Sequence, residues 1–146
     1  MLSEVLTRVI ESPTEDAIKA LLEDENMVFW VDWGEEDDAI IEYCESLINT
    51  GALRGDLVDV DNGAGFELYI NYREKRMKVP LVIGPEDRHI TILTLNAILR
   101  PEYEIRYCID SSDSDSAAFL PLSSAVWNEL EKRYGNRVNK RFYKPQ

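Results

Sequence analysis

The chain has 146 residues, 45% of them hydrophobic and 10% aromatic, and a formal net charge of −12. That apolar content supports one sizeable core and is too high for a disordered acidic tail, while the acidity disfavours direct binding to DNA, RNA or anionic lipid. No run approaches the ~20 consecutive apolar residues of a membrane span, the amino end lacks the pattern of a secretion signal, and Cys44 and Cys108 show no CxxC spacing, so a single cytoplasmic domain with two reduced thiols is expected.

Leu2, Val5, Leu6, Val9 and Ile10 recur at helical spacing, and Ser12-Pro13-Thr14-Glu15 reads as a restart: Ser12 as cap, Pro13 in the first turn, Glu15 closing a capping box before Ala17, Ile18, Leu21 and Leu22. Met27 to Val31 is short, apolar and β-prone. A third helix places Ile40, Ile41, Cys44, Leu47 and Ile48 on one face and stops at Gly51. The period then changes from 3.6 to 2. Phe66, Leu68, Ile70 and Tyr72 alternate with polar neighbours, joined through Asn62-Gly63 to Leu57–Val60 and through Glu74-Lys75 to Met77, Val79, Leu81 and Ile83, with Pro80 favouring an edge or a bulge.

Gly84-Pro85 opens a helix through Ile90, Leu93, Ala97 and Ile98, whose additional Ile92 and Leu95 imply burial on more than one side. Tyr103 to Ile109 and Ala117 to Leu122 read as two more strands. A last helix, capped by Ser123 or Ser124, carries Val126, Trp127, Leu130 and Tyr134 and ends at Gly135. The predicted fold is α+β, an antiparallel sheet of about five strands packed with helices. Its element order is helix, helix, a short strand, helix, three strands, helix, two strands, helix. One domain spans 1–146, acidic and helical over residues 1–52 and sheet-rich over residues 53–146.

The charge is unevenly placed. Residues 1–50 hold 14 Asp and Glu against two Lys and Arg, whereas residues 51–146 hold 14 of each. The densest stretch is Asp32, Trp33, Gly34, Glu35, Glu36, Asp37 and Asp38, continued along the third helix by Glu42 and Glu45. Acids in a first helical turn complement the macrodipole, but that does not explain Glu42 and Glu45, nor the near absence of cations at relieving spacings. Self-repulsion of this kind is tolerable where a partner supplies the cations, and Trp33 inside the run is a residue type enriched among interface anchors. The expected partner-binding residues are therefore Asp32, Trp33, Glu35, Glu36, Asp37, Asp38, Glu42 and Glu45.

Other chemistries find less support. Asp59 to Gly63 begins like a calcium loop, but its glycine is one position early and no Glu stands at the twelfth position. One histidine and two scattered cysteines cannot make a zinc site unaided, so neither metal nor cofactor is expected. No GxSxG, phosphate-cradling glycine loop or HExxH is present, and His89 reads as an ordinary residue of a helix's first turns. The chain is expected not to be an enzyme.

Two stretches carry a resemblance: Val31 to Glu45, and Tyr103 to Asp110 continued through Ala118 to Ser123 and Trp127 to Glu131. They resemble the small bacterial immunity proteins of contact-dependent growth inhibition systems. The resemblance implies an inhibitor that binds the toxic domain of a delivered effector, often a nuclease, in the cytoplasm and covers its active site. It carries no residue-level signature of contact, so the contact residues rest on charge alone. A nuclease cleft is basic because it must attract phosphates, and the span from Glu35 to Glu45, about 15 Å, matches about four or five nucleotides. Two other readings are a DNA-mimicking decoy of DNA-binding enzymes, which needs a longer acidic surface, and a small carboxylate-based hydrolase.

Overall fold

The computed structural model describes residues 2–60 and 65–146. Helix α1 (Glu4–Glu11) is capped by Ser3, whose hydroxyl accepts the Leu6 N–H, and ends at Ser12. Ser12 precedes a proline, whose ring pushes it out of helical geometry to φ −140°, ψ 79°. The cap of α2 (Glu15–Leu22) is therefore Thr14 and not Ser12. Its Oγ1 accepts the Ala17 N–H at 3.2 Å, Pro13 lies in the link, and Glu15 simply opens the helix.

After strand β1 (Phe29–Val31), helix α3 (Asp37–Ile48) buries Ile40, Ile41 and Cys44. It stops at Asn49, which takes the left-handed conformation (φ 51°) expected of Gly51. Strands β2 (Leu53–Val60), β3 (Gly65–Tyr72) and β4 (Lys75–Lys78) form an antiparallel meander. The β3–β4 turn falls on Arg73 and Glu74, one residue earlier than expected, and pairing lapses at Pro80 on the sheet edge. The Asn62-Gly63 turn expected between β2 and β3 lies outside the described residues. Helix α4 (Asp87–Leu99) leads to β5 (Tyr103–Cys108), β6 (Ala117–Ser123), α5 (Ser124–Tyr134), the short α6 (Asn136–Asn139) and β7 (Phe142–Tyr143).

The class is α+β, in the expected element order with α6 and β7 added at the end. In place of one sheet of about five strands, the described residues form two sheets, ordered β1-β6-β5-β7 and β2-β3-β4. The division follows from α3 and α4, which lie between the sheets. Helix α4 buries Thr91, Ile92, Thr94, Leu95, Asn96, Ile98 and Leu99, too broad a buried surface for one neighbour. Its Asn96 serves β5 as a strand would, donating to the Ile105 carbonyl at 3.0 Å and accepting the Ile105 N–H at 2.7 Å.

The four-stranded sheet is buried on both faces. One face, with Phe29, Val31 and Ile105, packs on α3 and α4, beyond which the second sheet completes the same core, while the other, with Cys108, Ala118, Leu120 and Phe142, packs on α1, α2 and α5. The acidic and the sheet-rich stretches of the sequence thus interleave through β1, which pairs with β6. Arg106 is 1% exposed, its guanidinium 4.1 Å from the Trp127 ring centre and bonded to Glu104 at 2.6 Å and Glu131 at 2.7 Å, so its buried charge is matched on two sides. Among the described residues no helix is long and apolar enough to cross a membrane.

Replacing Asn96 by Leu keeps the volume but strands two buried backbone groups. We expect a loss of about 2–5 kcal/mol in unfolding free energy, read from urea or thermal melts.

Candidate functional site

The acidic segment is built on a tight turn. Asp32 Oδ1 accepts the Gly34 N–H at 2.8 Å and its carbonyl accepts the Glu35 N–H at 3.2 Å. The turn throws the Trp33 side chain outward, 69% exposed, whereas Trp30, 37% exposed, is anchored by its indole N–H on the Leu22 carbonyl. Glu36 is the N-cap of α3 but its carboxylate accepts no capping bond, which leaves it free in solvent beside the positive helix end.

Arg88 on α4 fastens this turn to the body of the protein. Its guanidinium donates to the Glu35 carbonyl at 2.8 Å and to the Gly84 carbonyl at 3.1 Å, and its Nε lies 3.6 Å from Asp37 Oδ1. Asp37 also accepts the Thr91 hydroxyl at 3.0 Å. Burial holds the Asp37 carboxyl above its ordinary pKa of 3.8, against the opposing pull of the Thr91 hydrogen bond and Arg88. The Glu35 carboxylate accepts the Tyr43 hydroxyl at 2.7 Å, and that hydrogen bond holds the phenol above its ordinary pKa.

The eight expected contact residues do not all face outward. Glu45 is turned onto its own chain, accepting the Thr50 hydroxyl and the Gly51 N–H, both at 2.6 Å, and it latches the turn after α3. Asp37 is engaged by Arg88 and Thr91. Asp32, Trp33, Glu36 and Glu42 are exposed, and Glu35 and Asp38 are half-buried along the same ridge. Asp38 and Glu42 stand four apart on α3, a like-charge pair costing about 0.2–0.5 kcal/mol.

The cations of the later sequence do not neutralise this ridge. Five of them pair with acids of their own half: Arg73 with Glu102, Arg76 with Asp56, Lys78 with Glu67, Arg106 with Glu104 and Glu131, and Arg141 with Asp110. Among the described residues, only Arg88 forms an ion pair with a carboxylate from the first 50.

Two concavities flank the ridge. One, of about 290 Å³, lies between Trp33, Arg88, His89, Tyr107 and Phe119. The other, of about 530 Å³, is walled by Glu35, Glu36 and Asp38 and floored by Leu57, Phe66 and Leu68, with Ile83 at its rim. His89 Nε2 lies 2.7 Å from the Gln146 carbonyl oxygen. Both cysteines are buried and unpaired, and burial pushes the Cys108 thiol up to about 12 and the Cys44 thiol higher still, so they pack as small apolar groups. No group of three or more His, Cys, Asp or Glu among the described residues is placed to hold a metal ion. The arrangement can attract and bind cationic groups, with an exposed indole and an apolar cleft beside the charge.

Arg88, Tyr43, Leu57, Phe66 and Ile83 belong to this surface and were not expected there. Arg88 meets Glu35 across 53 positions of chain, and no local pattern encodes that contact. Leu57 and Phe66 read as ordinary strand residues, since alternation shows which face a residue takes and not whether that face is covered.

The raised Asp37 pKa has a definite sign. Between 3.8 and the raised value the folded chain holds the proton more strongly than the unfolded chain, so this group's contribution to stability falls as pH rises through that window. Asp37→Asn removes the effect. We expect the stability of the variant relative to the native protein to climb across that window and to level off above it, as measured by denaturant titrations at a series of pH values.

Compared with protein-family models, with curated proteins and with solved structures, the chain matches none of them.

Proposed function

We propose that the protein is a non-catalytic, cytoplasmic inhibitor that binds a basic toxin domain, most simply a nuclease, through the ridge formed by Asp32, Trp33, Glu35, Glu36, Asp38 and Glu42. The observation that carries this reading is the outward carboxylate set: among the described residues the one ion pair to an acid of the first 50 is that of Arg88 with Asp37, so the charge of the ridge is available to a partner. The two stretches that resemble contact-dependent growth inhibition immunity proteins supply the toxin as the class of partner. A nuclease cleft that attracts phosphates presents the complementary potential, and carboxylates within it exclude the substrate by occupying the same ground. Trp33 supplies what charge alone lacks, a large rigid surface that is desolvated on contact.

The ridge belongs to one helix and the turn before it, a length suited to one cleft. A decoy of duplex DNA would need carboxylates along a much longer surface.

The test begins with the basic domain that co-purifies with the tagged protein at low ionic strength, leaves at high ionic strength, and is identified by mass spectrometry. With that domain in hand, Glu36, Asp38 and Glu42 are reversed together to Lys, with an unchanged circular dichroism spectrum as the control. We expect association to slow about tenfold or more at low salt, the salt dependence to disappear, and protection against the toxic activity to be lost. Unaltered binding and protection by the triple variant would overturn the assignment.

A further inference from the structure

The floor of the larger groove is not explained by the acidic ridge. On one face of the three-stranded sheet, Leu53, Gly55, Leu57 and Asp59 of β2 stand opposite Tyr72, Ile70, Leu68 and Phe66 of β3. The near half of that face is covered by helix. α3 lies so close to Gly55 that a Cβ there would come within 2.9 Å of Ile41 Cδ1, and Leu53, Leu68, Ile70 and Tyr72 are buried. Because α3 begins only at Asp37, the same apolar face runs on uncovered, leaving Leu57 50% and Phe66 40% exposed.

Ile83 closes the groove from the far side. It is 67% exposed and sits at φ 58°, a left-handed conformation that a β-branched residue adopts only against steric resistance. The segment is pinned there: Asp87 accepts the Val82 N–H at 2.8 Å and the Gly84 N–H at 3.3 Å, and Arg88 holds the Gly84 carbonyl. A strained backbone thus presents an apolar side chain to water, opposite a wall of carboxylates.

We infer that this groove seats a segment of the protein partner in which an arginine or lysine stands next to a leucine, isoleucine or aromatic residue. The apolar side chain fills the floor between Leu57, Phe66 and Ile83, and the cation reaches Glu36 and Asp38. This deepens the inhibitor reading and rests on its basic partner, to which it adds an apolar anchor. A purely cationic segment would leave the floor wetted, and a purely apolar one would desolvate carboxylates without a counter-ion, so both characters are required together.

The probe is a random-peptide display library panned against the immobilised full-length protein at low ionic strength. The enriched peptides are then synthesised and measured by fluorescence anisotropy and by amide chemical-shift mapping. Enriched sequences are expected to pair Arg or Lys with Leu, Ile or an aromatic, and the shifts to centre on Asp38, Leu57, Phe66 and Ile83. Leu57→Ser with Phe66→Ser is expected to weaken binding about tenfold or more, mainly through faster dissociation. Ile83→Asn separates binding from folding, because Asn accepts the left-handed conformation: it is expected to melt no lower than the native chain while binding more weakly.

Enrichment of acidic or uncharged peptides, no enrichment, shifts elsewhere, or native affinity in the Leu57/Phe66 variant would overturn the inference. Concentration-dependent shifts at the groove without peptide would also overturn it, by naming a second copy as the occupant. If the Leu57/Phe66 variant binds the toxin domain normally while the charge-reversed variant does not, the groove falls and the inhibitor reading stands. If the peptides seat as expected but no basic toxin domain is bound, the reverse holds.

Discussion

The arrangement of the surface depends on Arg88. One guanidinium is shared among the Glu35 carbonyl, the Gly84 carbonyl and the flank of Asp37, so it joins the turn before α3 and the segment before α4 to α4 itself. Without it, the turn after β1 would carry Asp32, Glu35, Glu36, Asp37 and Asp38 with no internal cation, and the segment through Ile83 would keep only its bonds to Asp87 on α4. A single basic residue in the right place thus converts a self-repelling stretch into a fixed ridge. It does so with two bonds to carbonyl oxygens, which anchor the backbone and leave the carboxylates of Glu35 and Glu36 unneutralised.

The energetics are consistent with a face kept for binding. Exposed ion pairs contribute only about 0–1 kcal/mol each, so the fold gains little by pairing its surface acids and loses little by leaving them bare. What stabilises the molecule is the apolar material on both sides of the four-stranded sheet, together with polar groups satisfied where they are buried, as at Asn96 and Arg106. The repulsion within the ridge is a modest standing cost, softened at Glu36, Asp37 and Asp38 by the amino end of α3. A partner that brings cations removes this cost on binding, and the exposed indole of Trp33 and the uncovered end of the β2–β3 face supply the apolar area that turns attraction into a durable complex.

Local pattern made most of the elements legible. The period of Ile40, Ile41, Cys44, Leu47 and Ile48 marks α3, the alternation from Phe66 to Tyr72 marks β3, and Ser123, one of the two serines expected to do so, caps α5. Legibility failed where the determinant lay elsewhere in the chain. The cap of α2 moved from Ser12 to Thr14 because Pro13 restricts the residue before it. The division into two sheets rests on pairings such as Phe29 with Phe119, which no window of sequence contains. Strand β7 is two residues long and carries no alternation, yet Phe142 packs edge-on against Trp127 at 5.5 Å. At the candidate site, composition shows where the acids lie in the chain but could not distinguish Glu42, which faces water, from Glu45, which closes a turn, since both lie on one side of the same helix.

The measurement that bears most directly on this account is a hydrogen-exchange footprint of the protein with and without the basic domain that co-purifies at low ionic strength. Protection confined to the turn from Asp32 to Glu36, the first turns of α3, the exposed end of the β2–β3 pair and the segment around Ile83 is the result expected. Protection falling instead on the β3–β4 turn or on α5 and the chain beyond it, with the acidic ridge exchanging as in the free protein, would contradict it.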